Sequence, residues 1–351
     1  MSNAHIISIA TSVPQHKVLQ TDVRDLVQNL FSGEYKGLER LLPVFENTQI
    51  ESRYFSKPLD WFAHQQSFVE SSAAFVETAQ ILITESAEQA IKSARINRSD
   101  IAMVIAVSTT GISTPSLDAK LIQALHLPNT TKRVPIWGLG CAGGVAGLAR
   151  ASELVRTLPV GKYALMVGVE LCSLTFQRND ISKSNIIASS LFADGAAAVI
   201  LENKDNSENL SILASHSYLF DDSEDIMGWD IIETGLKVRF SRDIPTLIRS
   251  NLPTLLDEAC TAWAIERSEI KHYVVHAGGA KVLQAYSDSL HLAQEQLQTA
   301  HSVLRNHGNM SSVSVLFALK EFLSSTPKSN ELGVMMALGP GFSAEFVLFR
   351  H

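Results

Sequence analysis

Cysteine is scarce: Cys141, Cys172 and Cys260 are the only three among 351 residues. An odd number without close spacing excludes a disulfide framework and a zinc-ligand pattern, and it points to a reducing cytoplasm. No long run of lysine or arginine is present, and a formal charge of −7 excludes a broad nucleic-acid surface. No apolar stretch approaches the roughly 20 residues that span a bilayer, and no basic segment followed by an apolar core begins the sequence. A soluble protein without a structural metal is expected.

What is present is apolar material, at 46% of residues, in a chain longer than the usual limit of about 250 to 300 residues for one hydrophobic core. Two fused cores follow. A weak repeat supports them: Arg98-Ser99-Asp100-Ile101 leads into the apolar run from Ala102 to Val107 and then Ser108-Thr109-Thr110-Gly111. Arg267-Ser268-Glu269-Ile270 leads in the same way into His272 to Val275 and then His276-Ala277-Gly278-Gly279. Gly195 to Leu201 likewise finds a counterpart in Ser343 to Phe349. The runs from Tyr163 to Val169 and from Gly333 to Leu338 read as strands buried on both faces. The polar stretch from Glu202 to Asn209 reads as the joint between halves or as an ordinary surface loop.

Against this background one cysteine stands out. In Gly138-Leu139-Gly140-Cys141-Ala142-Gly143-Gly144 it precedes small and apolar residues at helical spacing, through Val145, Leu148, Val155 and Leu158, up to Pro159. A cysteine at a helix N-terminus meets unpaired N–H groups and the positive end of the helix dipole, which favour the reactive thiolate. By itself the position equally suits a small buried hydrophobe. His276 ends the strand-like run Tyr273-Val274-Val275, and Asn309 follows a glycine ahead of a helical pattern at Val313, Leu316, Phe317 and Leu319. Each alone reads as a structural histidine and a helix cap, yet all three polar groups fall at element ends, where α/β folds gather catalytic side chains.

Five stretches, GLGCAGG around Cys141, LFADGAAAVI from Leu191, HAGGAK from His276, HGNMSS from His307 and LGPGFSAE from Leu338, together resemble the type III polyketide synthases. These are the chalcone synthase-like branch of the thiolase superfamily, and the likeness runs essentially end to end. It implies an α/β, thiolase-like, five-layered αβαβα fold of two similar halves, 1–205 carrying the cysteine and 206–351 the histidine and asparagine. It also implies a homodimer and no cofactor beyond the coenzyme A of its substrates, an acyl-CoA starter and malonyl-CoA.

The resemblance assigns roles as well. Cys141 holds the growing acyl chain as a thioester, His276 pairs with the thiol, and Asn309 helps hold the substrate carbonyl, with the Cys141 and Ser311 amides as oxyanion donors. Phe192 matches the gatekeeping phenylalanine between the CoA tunnel and the cavity. Thr109, Thr110, Cys172, Thr175, Val238 and Ser311 are carried over as cavity-shaping positions. Val238 stands where plant enzymes have a second gatekeeping phenylalanine, so a wider tunnel mouth is expected, and Cys172 replaces a threonine. ELCSLT, from Glu170 to Thr175, looks more like bacterial alkylpyrone and alkylresorcinol synthases that accept fatty acyl starters. Trp229 aligns loosely with a small residue of the cavity floor, or serves as a buried anchor. Of the plant CoA-binding cations only Arg40 is in register, with Arg53 and Lys281 as substitutes. Other readings of the same residues are a ketoacyl-acyl carrier protein synthase of the initiating type, a cysteine acyl hydrolase, and an inactive acyl-binding member.

Overall fold

The computed structural model describes residues 3–33, 35–205, 208–241, 243–325 and 327–351. The described residues form thirteen strands: β1 (Asn3–Ser12), β2 (His16–Leu19), β3 (Ser52–Phe55), β4 (Ile101–Ser108), β5 (Lys132–Trp137), β6 (Tyr163–Leu171), β7 (Asp194–Lys204), β8 (Leu210–Leu219), β9 (Met227–Ile232), β10 (Gly235–Phe240), β11 (Ile270–Val275), β12 (Leu332–Gly339) and β13 (Ser343–Arg350). Nine of them form one sheet in the order β11-β12-β13-β8-β1-β7-β6-β4-β5, while β2 pairs with β3 and β9 with β10.

The repeat read from the sequence is the symmetry of this sheet. Outward from its middle, β8, β13, β12 and β11 occupy places equivalent to β1, β7, β6 and β4, and a single 3₁₀ turn, Arg98–Asp100 or Arg267–Glu269, leads into β4 or β11. The halves join through a short antiparallel ladder, Ala4↔Ile212, His5↔Ser211 and Ile6↔Leu210. β12 is buried throughout and β6 throughout after Tyr163, as expected for strands covered on both faces. The stretch from Glu202 to Asn209 is only partly a connection, because Glu202, Asn203 and Lys204 complete β7; Asn206 and Ser207 lie outside the described residues.

Two helices, Gly143–Val155 and Ser314–Ser324, lie between the half-sheets; the first contacts β4 and β6 on one side and β12 and β13 on the other. The long helix Phe68–Ala94 covers the outer face of β1, β6 and β7, and the mutually packed helices Ile244–Trp263 and Ala280–Leu290 cover the other half. The order is helix, sheet, helix, sheet, helix, the five layers expected. Helix Phe68–Ala94 begins at a capping box in which the Ser67 side chain accepts from the Glu70 N–H and the Glu70 carboxylate accepts from the Ser67 N–H. The central helices approach closely because Gly144 has no side chain: a Cβ there would lie 2.0 Å from the Ser312 carbonyl oxygen. That contact brings the segment after Cys141 against the segment after Asn309. Among the described residues, no helix is long and apolar enough to cross a membrane.

Candidate active site

Cys141 lies in a 3₁₀ turn, Gly140–Ala142, immediately before the central helix Gly143–Val155, and it is buried. The turn is wedged from two sides. The Gly140 N–H donates to the Thr109 hydroxyl at 2.9 Å, and Gly339, the glycine that ends β12, runs so close that a Cβ would meet the Ala142 nitrogen at 2.6 Å. This is the structural reason for a glycine in the LGPGF stretch.

The three candidate catalytic groups are connected by a chain of contacts. The Ser311 side chain sits close enough to the Cys141 thiol to pull against the effect of burial on it, and the Ser311 N–H donates to Asn309 Oδ1 at 2.8 Å. Asn309 Nδ2 donates to the Gly278 carbonyl at 3.0 Å, and Gly278 packs under the His276 ring, which a Cβ there would meet at 3.1 Å. His276, at the end of β11, donates its backbone N–H to the Met336 carbonyl at 3.0 Å. Neither of its ring nitrogens has a hydrogen-bond partner among the described residues. Unpartnered nitrogens on a buried ring cost stability and suit a site that completes its hydrogen bonds with substrate.

Burial sets the resting electrostatics. It pushes the Cys141 thiol up to about 12, against the pull of the Ser311 side chain, and it lowers His276 to about 4. Where the sequence suggested a helix-terminus thiolate, burial is the largest influence on the sulfur, and the resting pair is a thiol and a neutral imidazole. A neutral imidazole with a free nitrogen is what a proton acceptor requires.

Glu170, at the C-terminal end of β6, is a residue to which the sequence reading gave no role. It is fully buried. Its Oε2 accepts from the Thr109 N–H at 3.0 Å, the Thr110 N–H at 3.1 Å and the Thr110 hydroxyl at 2.8 Å, while Oε1 accepts from the Ser312 hydroxyl at 2.5 Å. Burial still raises this carboxyl to about 7. The signal lay inside ELCSLT, where one carboxylate follows an otherwise apolar strand; charges are almost never fully buried unless paired or hydrogen-bonded.

Other expectations are redrawn. The Thr109 and Thr110 hydroxyls serve Gly140, Glu170 and the Leu171 N–H, and neither threonine lines the apolar cavity beside Phe192. The Ser311 N–H is taken by Asn309, so it is not a free oxyanion donor. Arg53 is fully buried, donating to the Phe192 carbonyl at 2.8 Å and to Gln20 Oε1 at 2.7 Å, and it cannot meet coenzyme A at the surface. Arg40 and Lys281 are exposed.

Phe192, Cys172, Thr175 and Val238 do come together, lining an apolar slit of about 30 Å³ that continues to Val23, Leu26 and Val27 of the helix Gln20–Phe31 and to Phe62. Val238 does not leave an open mouth. Trp229 pairs directly across from it in the β9–β10 hairpin and packs on Phe192 at 5.9 Å, and Phe240, two residues on, does so at 5.5 Å. Phe240 escaped the sequence reading because its role depends on hairpin register. Trp229 is thus a partner of the Phe192 ring. Among the described residues, no group of three or more histidine, cysteine, aspartate or glutamate side chains is placed to hold a metal ion.

Comparison with known proteins agrees with this geometry. The family model "Chalcone and stilbene synthases, N-terminal domain" matches residues 1–205, and the corresponding C-terminal domain matches residues 211–351. The chain is 40% identical to a provisionally named chalcone synthase of Bacillus subtilis (strain 168), over 99% of this chain and 98% of the relative. It is 33% identical to the 1,3,6,8-tetrahydroxynaphthalene synthase of Streptomyces peucetius subsp. caesius, over 98% of this chain and 92% of that protein. The crystal structure of 1,3,6,8-tetrahydroxynaphthalene synthase from Streptomyces coelicolor A3(2), described as a bacterial type III polyketide synthase, superposes with a TM-score of 0.93 at 27% identity and 99% coverage of both chains.

Two predictions follow from this electrostatics. Iodoacetamide at neutral pH modifies Cys141 faster than Cys172, since burial raises both thiols but Ser311 pulls the Cys141 thiol down while Cys172 faces the added charges of Glu170 and Asp194. Peptide mass spectrometry showing equal labelling would refute this.

The second concerns Glu170. A carboxyl raised from 4.5 to about 7 binds its proton more tightly folded than unfolded, so its contribution to stability is largest at low pH and falls as pH rises from about 4.5 to 7. The stability gap between wild type and Glu170→Gln should widen by on the order of 3 kcal/mol as pH falls through that window. Paired denaturant titrations check this; a gap that stays flat means Glu170 titrates normally.

Proposed function

The chain belongs to the chalcone and stilbene synthase family, the type III polyketide synthases, and from that premise we propose that Cys141, His276 and Asn309 carry out decarboxylative condensation of malonyl-CoA onto an acyl-CoA starter. The observation that carries this assignment is the contact chain Cys141–Ser311–Asn309–Gly278–His276, which ends in a buried imidazole with two unpartnered nitrogens.

Cys141 Sγ attacks the starter's thioester carbon, its proton passes to His276, and the coenzyme A thiol leaves with that proton. Malonyl-CoA then loses its carboxylate as carbon dioxide. The electron pair left behind is delocalised onto the thioester oxygen, toward which the second Asn309 Nδ2–H and a His276 N–H are aimed. The enolate carbon attacks the Cys141 thioester, the chain grows by two carbons, and the sulfur is released for transfer of the product back. The Cys141 amide is the remaining oxyanion donor. No strong carbon base is needed, because decarboxylation generates the nucleophile, and the steps use no group beyond these residues and the coenzyme A of the substrates. Arg40 and Lys281 are the exposed cations left to meet its phosphates.

The apolar lining from Phe192 past Cys172 to Leu26 and Val27 is in keeping with a hydrocarbon starter, for which the slit of about 30 Å³ has to widen, with two or three extensions and closure to an alkylpyrone or alkylresorcinol. The protein acts as a homodimer in the reducing cytoplasm. Among the described residues β5 pairs only with β4, and its last residue Trp137 and the nearby Ile112 are 52% and 45% exposed, an edge that a second copy would cover. Light scattering should give twice the 38.3 kDa chain mass; a monomer at micromolar concentration would refute that part.

Mass spectrometry of products from malonyl-CoA and acyl-CoA starters from acetyl to palmitoyl is the central test. Long starters should give pyrones or resorcinols, Cys141→Ala should give none, and Val27→Trp should shorten the accepted chain. Asn309→Ala should slow decarboxylation by about 10² to 10³ while Cys141 still loads. Acyl release that ignores malonyl-CoA would establish a hydrolase instead, and extension only with a carrier-protein thioester would establish a ketoacyl synthase.

A further inference from the structure

Phe192 and Asn309 belong to different halves of the fold, yet their backbones form a two-rung bridge. The Asn309 N–H donates to the Leu191 carbonyl at 2.8 Å, and the Ala193 N–H donates to the Asn309 carbonyl at 2.9 Å. The one carbonyl between these rungs, that of Phe192, points away from Asn309 and accepts from Arg53 Nη1 at 2.8 Å. The guanidinium is fully buried, with Nη2 on Gln20 Oε1 at 2.7 Å and its face over the Phe55 ring at 5.4 Å.

Its counter-charge is Asp194, two residues past Phe192 and also fully buried. Asp194 does not touch the guanidinium. Its oxygens accept from the Ser56 N–H at 2.7 Å, the Ser173 N–H at 2.7 Å and the Ser173 hydroxyl at 2.5 Å, which fixes the start of β7 to β3 and to the turn carrying Cys172. Burial lowers Arg53 to about 9 and raises Asp194 to about 6, so both keep their charges at neutral pH. An enclosed cation is costly, and removing one member of such a pair leaves the other uncompensated. Arg53 Nε finds no partner among the described residues, which adds to the cost of enclosing this charge.

From this arrangement we infer that Arg53 and Asp194 are positioning residues that set the register of Phe192 against Asn309. Arg53 grips the Phe192 carbonyl from the side opposite Asn309, and Asp194 holds the following backbone, so residues 191–193 cannot slide along Asn309. Sliding would move the aromatic face and the amide donor relative to each other, and displacements of about 1 Å cost about 10²-fold in rate. Loading of Cys141 needs neither group. The inference rests on the roles proposed above for Phe192 and Asn309.

The test separates the two half-reactions in Arg53→Lys and Asp194→Asn. Lysine keeps the charge but lacks a planar fork to serve both the Phe192 carbonyl and Gln20; asparagine keeps one acceptor oxygen and removes the counter-charge. Intact-protein mass spectrometry after brief exposure to an acyl-CoA measures loading, and carbon dioxide release from malonyl-CoA measures decarboxylation. Each variant should load within about twofold of wild type and decarboxylate about 10- to 100-fold more slowly. Equal losses in both steps, no loss in either, or failure of both variants to fold would overturn the inference and leave the pair a purely structural element. Wild type that neither loads nor decarboxylates would instead refute the assignment of the site itself.

Discussion

The site depends on one buried carboxylate. Glu170 lies at the C-terminal end of β6 and receives four hydrogen bonds, three from the segment after β4 and one from the segment after Asn309. Through Thr109, whose hydroxyl holds the Gly140 N–H, it also reaches the cysteine turn. Two loops, one from each half, therefore converge on two oxygen atoms, and the cysteine turn is reached through the first of them. A buried carboxylate is tolerable only when its lone pairs are filled, so each loop is held at a fixed distance from the other. Its charge also raises the Cys141 thiol, helping to keep the resting sulfur protonated.

Around this anchor the catalytic groups divide between positions that are tied and positions that are free. Asn309 is tied at both side-chain ends and by its backbone to residues 191 and 193. His276 is tied through its backbone while its ring nitrogens remain unpartnered among the described residues. That contrast suits a cycle in which the asparagine is a fixed donor and the histidine exchanges a proton. The apolar slit beyond Phe192 lies between the Gln20–Phe31 helix and the β9–β10 hairpin, on elements other than those that carry Cys141, His276 and Asn309.

Much of this was legible beforehand. The two-core expectation and the repeat at Arg98 and Arg267 became the symmetry of the nine-stranded sheet, because the same strand-and-turn pattern folds the same way twice. Cys141, His276 and Asn309 each stood at an element end, and the helix after Cys141 starts within two residues of it. Arg53 was misjudged because burial is a tertiary property: one arginine among exposed-looking neighbours in β3 carries no local mark of an enclosed cation. The hydrogen bonds of Thr109 and Thr110 could not be read beforehand for a related reason, since a hydroxyl at a strand end turns toward whichever buried acceptor lies nearest, and Glu170 is sixty residues away in the chain. Phe240 could be placed beside Phe192 only once the hairpin register was known.

The sequence by itself determined the elements, their duplication and the chemical identity of the candidate reacting side chains, because these follow from local periodicity, turn residues and functional groups. Tertiary structure decided which of those groups meet, which hydrogen-bond donors remain free, and the protonation of the site. Each of those depends on what lies across the core from a residue, and burial there is the largest influence on both the Cys141 thiol and the His276 imidazole.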